Sequence, residues 1–474
     1  MKIDTLLDYP TLLAHQNHPV NLALRLTADP NPGARPQPVA LCLVVDRSGS
    51  MAGQPLARAR DAAALAVRHL RPEDRLGLVA FDEVALTIFP LQPVAPAQRG
   101  RILDAIRRLQ DGGSTNLTAG WMLGRDALRE APSGTRRRLL LLSDGKLNAG
   151  ITAPDAVRQI VAAGLEKDAI RTSCLGFGDS YDQDLLVALA HATQGEFYDA
   201  SSPESLPTIV GAELEGLQKI AVQNLRLRLR RLDFCDRLDP LGTDPAISLP
   251  DGRLELALGD LVADEQRVVC FALGVLPLPA IDGQPAFDLE GEELLALELL
   301  YDEIGTDGIA SRTFTQTVRV RATQDPGAVR PNGEVIQWVA VQRAAAWSDR
   351  IAAHADRGDT RVALQLLEIA LRETRALGDG PGVEDALRLL QAIEDRVATD
   401  TWSLRESKRA KYRAQSGRRM TSGSFWCLDE PAPSHLRKPK PPQPPPASPT
   451  EQSPTTPPLE TPPQAPPPGG SETP

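Results

Sequence analysis

The 474-residue chain is long enough for two or three domains, and its 42% apolar content is that of an ordinary globular protein. A formal net charge of −10, from 62 acidic and 52 basic residues, argues against a nucleic-acid or membrane-surface partner. Five cysteines without close pairs make neither a disulfide framework nor a zinc ribbon.

The first residues lack a long apolar core, so no secretory leader is expected. No apolar run approaches the roughly 20 residues that span a bilayer, and a reducing cytoplasm is the expected compartment. Residues 20–27 alternate apolar and polar, the period of a half-buried strand. A lone strand cannot bury its face, so this one needs partners from elsewhere in the chain. A Pro-rich connector at 30–38 follows.

Residues 39–46 form an apolar run rich in β-branched side chains, which predicts a strand buried on both faces. It stops at Asp46, and Ser48 and Ser50 follow at alternate positions. One carboxylate and two hydroxyls are hard oxygen donors that suit a small hard cation such as Mg²⁺. Gly49 lets the backbone bend around the ion, and a helix is expected from Gln54 to Leu70. A strand over 75–81 and a hairpin partner over 84–89 come next, then helices over 97–109 and 117–129. Between those helices Gly112-Gly113-Ser114-Thr115-Asn116-Leu117 offers a threonine hydroxyl. Residues 138–143 are a second buried strand, ending in Asp144. A helix over 154–163, strands over 170–177 and 196–199, and a last helix over 203–219 complete an alternating pattern. Alternation of this kind implies a doubly wound, mostly parallel sheet, and such sheets collect ligands at the carboxyl ends of their strands.

Asp-Arg-Ser-Gly-Ser-Met, Gly-Gly-Ser-Thr-Asn-Leu and Leu-Ser-Asp-Gly together resemble the von Willebrand factor A (VWA) domain, over about residues 38–219. The resemblance implies an intact metal-ion-dependent adhesion site (MIDAS) formed by Asp46, Ser48, Ser50, Thr115 and Asp144, in a bacterial-type protein. It further implies that Ser48, Ser50 and either Thr115 or Asp144 contact Mg²⁺ or Mn²⁺, with Asp46 acting directly or through water. A position open to solvent would then accept an Asp or Glu carboxylate from a protein partner. Two other readings stand beside this adhesion module. One is a scaffold in which the metal is a strut. The other is a metal-dependent hydrolase, for which none of the six histidines lies in or beside the three loops.

From residue 221 the period switches to two: Leu225, Leu227 and Leu229 alternate with arginines, and similar patterns recur at 254–258 and 295–299. A β-sandwich over 220–325 is expected, joined by the strand within residues 1–37, with the α/β unit inserted between them. The inter-alpha-trypsin inhibitor heavy chains look alike in broad plan. Residues 334–400 read as two or three helices, a cap in which Ile336, Val339, Arg343 and Trp347 share one face. The helix at 203–219 runs into the sandwich with little slack, as a rigid strut or a moving link. Residues 401–430 are a basic and aromatic linker whose stretch 416–430 is a docking or phosphorylation segment, or one that folds Phe425 and Trp426 onto the cap. Of the 42 prolines, 18 lie beyond residue 430, so residues 431–474 are expected to be disordered.

Overall fold

The computed structural model describes residues 1–29, 37–144, 147–178, 181–200, 203–242, 246–279, 291–306, 308–403, 405–408 and 410–411. All of them belong to one compact unit, Met1–Pro439. The stretches expected to dock (416–430) and to be disordered (431–474) lie outside the described residues.

The chain opens with β1 (Lys2–Leu7), β2 (Thr11–Leu13) and β3 (His18–Thr27). An α/β unit follows: β4 (Val39–Asp46), α1 (Gln54–His69), β5 (Arg75–Phe81), β6 (Ala85–Pro93), α2 (Pro96–Arg107), α3 (Leu117–Arg129), β7 (Arg136–Ser143), α4 (Pro154–Asp168), β8 (Ile170–Phe177), α5 (Gln183–Ala192), β9 (Phe197–Ala200) and α6 (Leu206–Gln218). Its six strands lie in the order β6-β5-β4-β7-β8-β9. All neighbours are parallel except β6, an antiparallel edge. The chain leaves β4 towards β5 and returns on the other side at β7, so the strand order reverses between β4 and β7. A crevice opens at such a switch point.

Every residue of β4 is buried, because helices cover both faces of the sheet. Leu41, Leu43 and Val45 face α1, α2 and α6, and Ala40, Cys42 and Val44 face α3, α4 and α5. Leu206, Ile209, Val210 and Leu214 of α6 are all buried in the first of these clusters. Helix α3 lies close on β4: a Cβ on Gly124 would come within 2.6 Å of Val44 Cγ2. Trp121, fully buried on α3, donates from Nε1 to Thr172 Oγ1 at 3.0 Å, which fixes the helix laterally on β8.

The chain continues with β10 (Ile220–Arg231), β11 (Cys235–Pro240), β12 (Ala246–Ser248), β13 (Leu254–Val262), β14 (Gln266–Val275), β15 (Glu292–Gly305) and β16 (Gly308–Thr323). They make a four-stranded sheet, β1-β3-β14-β11, and a six-stranded one, β12-β13-β10-β15-β16-β2. β3 pairs antiparallel with β14 along its whole length, from Thr27 opposite Gln266 to His18 opposite Val275. The strand before the α/β unit thus sits inside a sheet completed after it. One buried cluster draws on both sheets: Leu22, Leu24 and Phe271 from the first, and Leu227, Leu256 and Leu297 from the second. Asp260 of β13 ties the α/β unit down, bridging Arg138 of β7 at 2.6 Å and Arg171 of β8 at 2.9 Å.

Helices α7 (Gly333–Asp356), α8 (Thr360–Arg375) and α9 (Pro381–Ala398) follow. Helix α7 is apolar on more sides than the one face marked by Ile336, Val339, Arg343 and Trp347. Val335, Trp338, Val339 and Val341 pack on β3 and β14, while Ala340, Ala344 and Ile351 pack with α8 and α9. A helix between two layers is apolar on both sides. Gln342, buried between them, accepts from Cys270 N at 3.0 Å and donates to Val268 O at 2.6 Å. It satisfies the edge of β14 beyond the point where β11 stops pairing. The linker expected from residue 401 is also packed in its described part: 405–408 and 410–411 are helical, and Ser407, Lys408 and Ala410 are buried.

Candidate metal centre

β4 and β7 run side by side, with Val45 opposite Leu142, so Asp46, Ser143 and Asp144 emerge together at their carboxyl ends. Asp46 is fully buried. Its Oδ1 accepts from Ser48 N at 2.8 Å and its Oδ2 from Ser143 Oγ at 2.6 Å. Burial raises the Asp46 carboxyl above its ordinary range, against the pull of those hydrogen bonds. Ser48 Oγ lies 3.2 Å from Ser50 Oγ, and Ser50 Oγ donates to Asp144 Oδ1 at 2.8 Å. Three oxygens from two loops are thus linked in one chain. Burial pushes Asp144 up to about 6, with the hydrogen bond from Ser50 opposing and the Asp46 charge adding to the rise.

The glycine loop is clamped onto the serine loop. Gly112 N donates to Arg47 O at 2.6 Å, and Gly49 N donates to Gly113 O at 2.8 Å. Arg47 Nη2 meets Asp82 Oδ2 at 2.6 Å, and Asp82 O accepts from Asn116 N at 2.8 Å. Thr115 is buried; its N–H donates to Asn148 Oδ1 at 2.6 Å. Asn116 then caps α3, accepting from Ala119 N at 3.1 Å.

Asp46, Ser48, Ser50 and Asp144, four of the five expected residues, are thus joined by hydrogen bonds, and Ser143 holds Asp46 from the neighbouring strand. Thr115 is placed by its backbone, on the loop that the clamp holds. Asp82, Arg47, Ser143 and Asn148 were not singled out by sequence reasoning. Ser143 stands within the Leu-Ser-Asp-Gly motif, and Asp82 follows the buried run of β5 much as Asp46 ends β4. A third strand ending in a carboxylate was therefore a readable signal.

The donors are carboxylate and hydroxyl oxygens, with no thiolate or imidazole, and so fit a hard divalent cation. Among the described residues no cluster of three or more His, Cys, Asp or Glu is arranged to hold a metal, which sets this hydroxyl-rich arrangement apart from a carboxylate or histidine cage.

Residues 41–146 match the family model of the von Willebrand factor type A domain. The α/β unit therefore carries a domain of that type, and such domains commonly mediate protein–protein interactions. An uncharacterized protein of Synechocystis is 28% identical over 320 residues, 64% of this chain and 72% of the relative. A von Willebrand factor type A structure from Catenulispora acidiphila shares the fold with a TM-score of 0.62 at 18% identity, covering 82% of this chain and 89% of that one. The ArnB paralog VWA2 from Sulfolobus acidocaldarius does so with a TM-score of 0.56 at 14% identity, covering 88% and 98%. No helix among the described residues is long and apolar enough to cross a membrane.

Proposed function

We propose that this chain binds a protein partner through Mg²⁺ or Mn²⁺ held by Asp46, Ser48, Ser50, Thr115 and Asp144, with an Asp or Glu of the partner completing the coordination. The observation that carries the reading is the hydrogen-bonded chain from Ser48 through Ser50 to Asp144, built across the switch point of the sheet. Asp46, held on both oxygens by Ser48 N and Ser143, orients the serine loop. A cation there would supply the positive charge that attracts a carboxylate. The chemistry proposed is binding rather than hydrolysis, since no histidine stands in the three loops to act as a base. The cytoplasm is the proposed compartment.

Two sheets that share one buried cluster support reading residues 1–37 and 220–325 as a β-sandwich into which residues 38–219 are inserted, with the helices of 334–400 layered on it. Calorimetric titration of the full chain with Mg²⁺ tests the site. Heat is expected from the wild type and none from Asp46→Ala or Ser48→Ala; wild-type affinity in both variants would refute it. Capture of a partner from extract should be lost in chelator. Capture that persists would favour the metal as a strut.

A further inference from the structure

Among the described residues seven large apolar side chains stand exposed, and four of them sit around the metal loops. Val84 is 55% exposed, Leu86 45%, Met122 44% and Ile151 43%. Val84 forms the β5–β6 turn with Asp82 and Glu83; the Glu83 carbonyl accepts from Asn116 Nδ2 at 3.2 Å, beside Thr115. The Ile151 carbonyl accepts from Thr118 Oγ1 at 3.1 Å, and Met122 lies one turn further along α3. Exposed apolar groups gathered at one site mark a contact surface. A ligand that suits this surface has a carboxylate for the cation and bulky apolar groups beside it.

The C-terminal segment is delivered to the same end of the sheet. Trp402 Nε1 and Ser407 Oγ both donate to Asp356 at the end of α7, at 3.1 and 2.7 Å. Lys411 Nζ bridges Asp356 at 3.1 Å and Asp184 of α5 at 2.9 Å. Gln183 Nε2 donates to Lys408 O at 3.1 Å, and Lys408 Nζ lies 3.4 Å from the centroid of the Tyr181 ring. That ring packs on Gly176 of β8, where a Cβ would come within 2.5 Å. Gly176 is the strand partner of Ser143, the residue that holds Asp46. The strap therefore ends beside the metal-bearing strands. With strands about 4.8 Å apart and a helix layer about 10 Å off the sheet, its anchor lies within about 20 Å of the site.

Beyond the strap the sequence reads Phe425-Trp426-Cys427-Leu428-Asp429-Glu430. Three bulky apolar residues run directly into two carboxylates. We propose that residues 425–430 of this chain fold back in cis onto the metal face, Asp429 or Glu430 facing the cation and Phe425, Trp426 and Leu428 covering the apolar rim. The inference rests on the metal reading above. Asp429 stands eighteen positions beyond Lys411; fully extended that stretch reaches about 60 Å, well beyond the distance required. A tether of this length holds the segment at an effective concentration of about 1 mM. The chain is thus its own competitor: a partner with a stronger carboxylate contact must displace this segment first.

The test uses the full chain, its Asp429→Ala/Glu430→Ala variant, and a labelled synthetic peptide of residues 421–434 as probe. In Mg²⁺ the peptide should bind the variant at least about 10-fold more tightly than the wild type, whose own segment competes. Chelator, or Asp46→Ala added to the variant, should abolish binding. Val84→Ser with Ile151→Ser should weaken the peptide about 10-fold while the heat of Mg²⁺ binding stays unchanged. A variant that takes up Mg²⁺ but not the peptide overturns this inference and leaves the metal site standing. Absence of any Mg²⁺ heat from the wild type overturns both. Equal peptide affinity for wild type and variant refutes occupancy in cis, and Mg²⁺-dependent self-association that the variant loses identifies a second copy as the occupant instead.

Discussion

Replacing Ser143 with alanine isolates the way the fold presents Asp46. Ser143 Oγ is a donor to Asp46 Oδ2, at 2.6 Å, with both side chains buried. A hydrogen bond to a charged group contributes about 1.5–3 kcal/mol, and its loss leaves a buried carboxylate oxygen without this donor. Burial already raises the Asp46 carboxyl, and the bond from Ser143 is the largest influence opposing that rise. Ser143→Ala should therefore destabilise the metal-free chain by about 1.5–3 kcal/mol in denaturant unfolding. Groups that orient a metal ligand without touching the metal typically change affinity about 10- to 100-fold when removed. By the same reasoning the Mg²⁺ affinity should fall about 10-fold or more in calorimetry. A Ser143→Ala chain with both wild-type stability and wild-type Mg²⁺ affinity would refute the role given to this hydroxyl.

Gly124→Val should cost about 1–3 kcal/mol, because α3 has no room for a side chain against Val44; denaturant unfolding checks it. Gln342→Leu should cost about 1–3 kcal/mol in the same assay by stripping Cys270 N and Val268 O of their partner. Asp260→Ala should cost about 3–5 kcal/mol, since Arg138 and Arg171 would remain buried without their shared carboxylate. Burial pushes the Asp260 carboxyl up, but Arg171, Arg138 and Arg136 together pull it lower still, for a net downward shift. Its contribution to stability is therefore full above the ordinary carboxylate range and is lost as pH falls through its lowered folded value. Wild type and Asp260→Ala should converge in stability at acid pH, as unfolding measured across pH would show. Burial pushes the Cys42 thiol up to about 12 and raises Cys174 and Cys270 as well. These three should resist alkylation at pH 8 in the native chain and react on unfolding, read by mass spectrometry.

Much of the α/β unit is legible in the sequence because its signals are local. The unbroken apolar run of β4 is what a strand covered on both faces requires, and Asp46 marks where the cover ends. Proline at the first turns of α1, α2 and α4 marks those helices as plainly. Residue types and spacing also single out Asp46, Ser48, Ser50, Thr115 and Asp144. What they do not contain is the support of the site. That Ser143 holds Asp46, and that Arg47 and Asp82 join the glycine loop to the serine loop, follows from three strand ends meeting side by side. Helix α5, which carries the anchor for Lys411, was not expected from the residues around it.

The remainder was decided by contacts far apart in the chain. The alternation of residues 20–27 determines that β3 needs a covered face. Which strand lies beside it depends on β14, more than two hundred residues later and across a whole intervening unit. The apolar residues of α7 spread beyond the face of Ile336, Val339, Arg343 and Trp347, because that helix is buried against a sheet on one side and two helices on the other. Periodicity records how much of an element is hidden from water. It carries no record of what does the hiding, because apolar burial is not directional, and only the assembled structure supplies the partner.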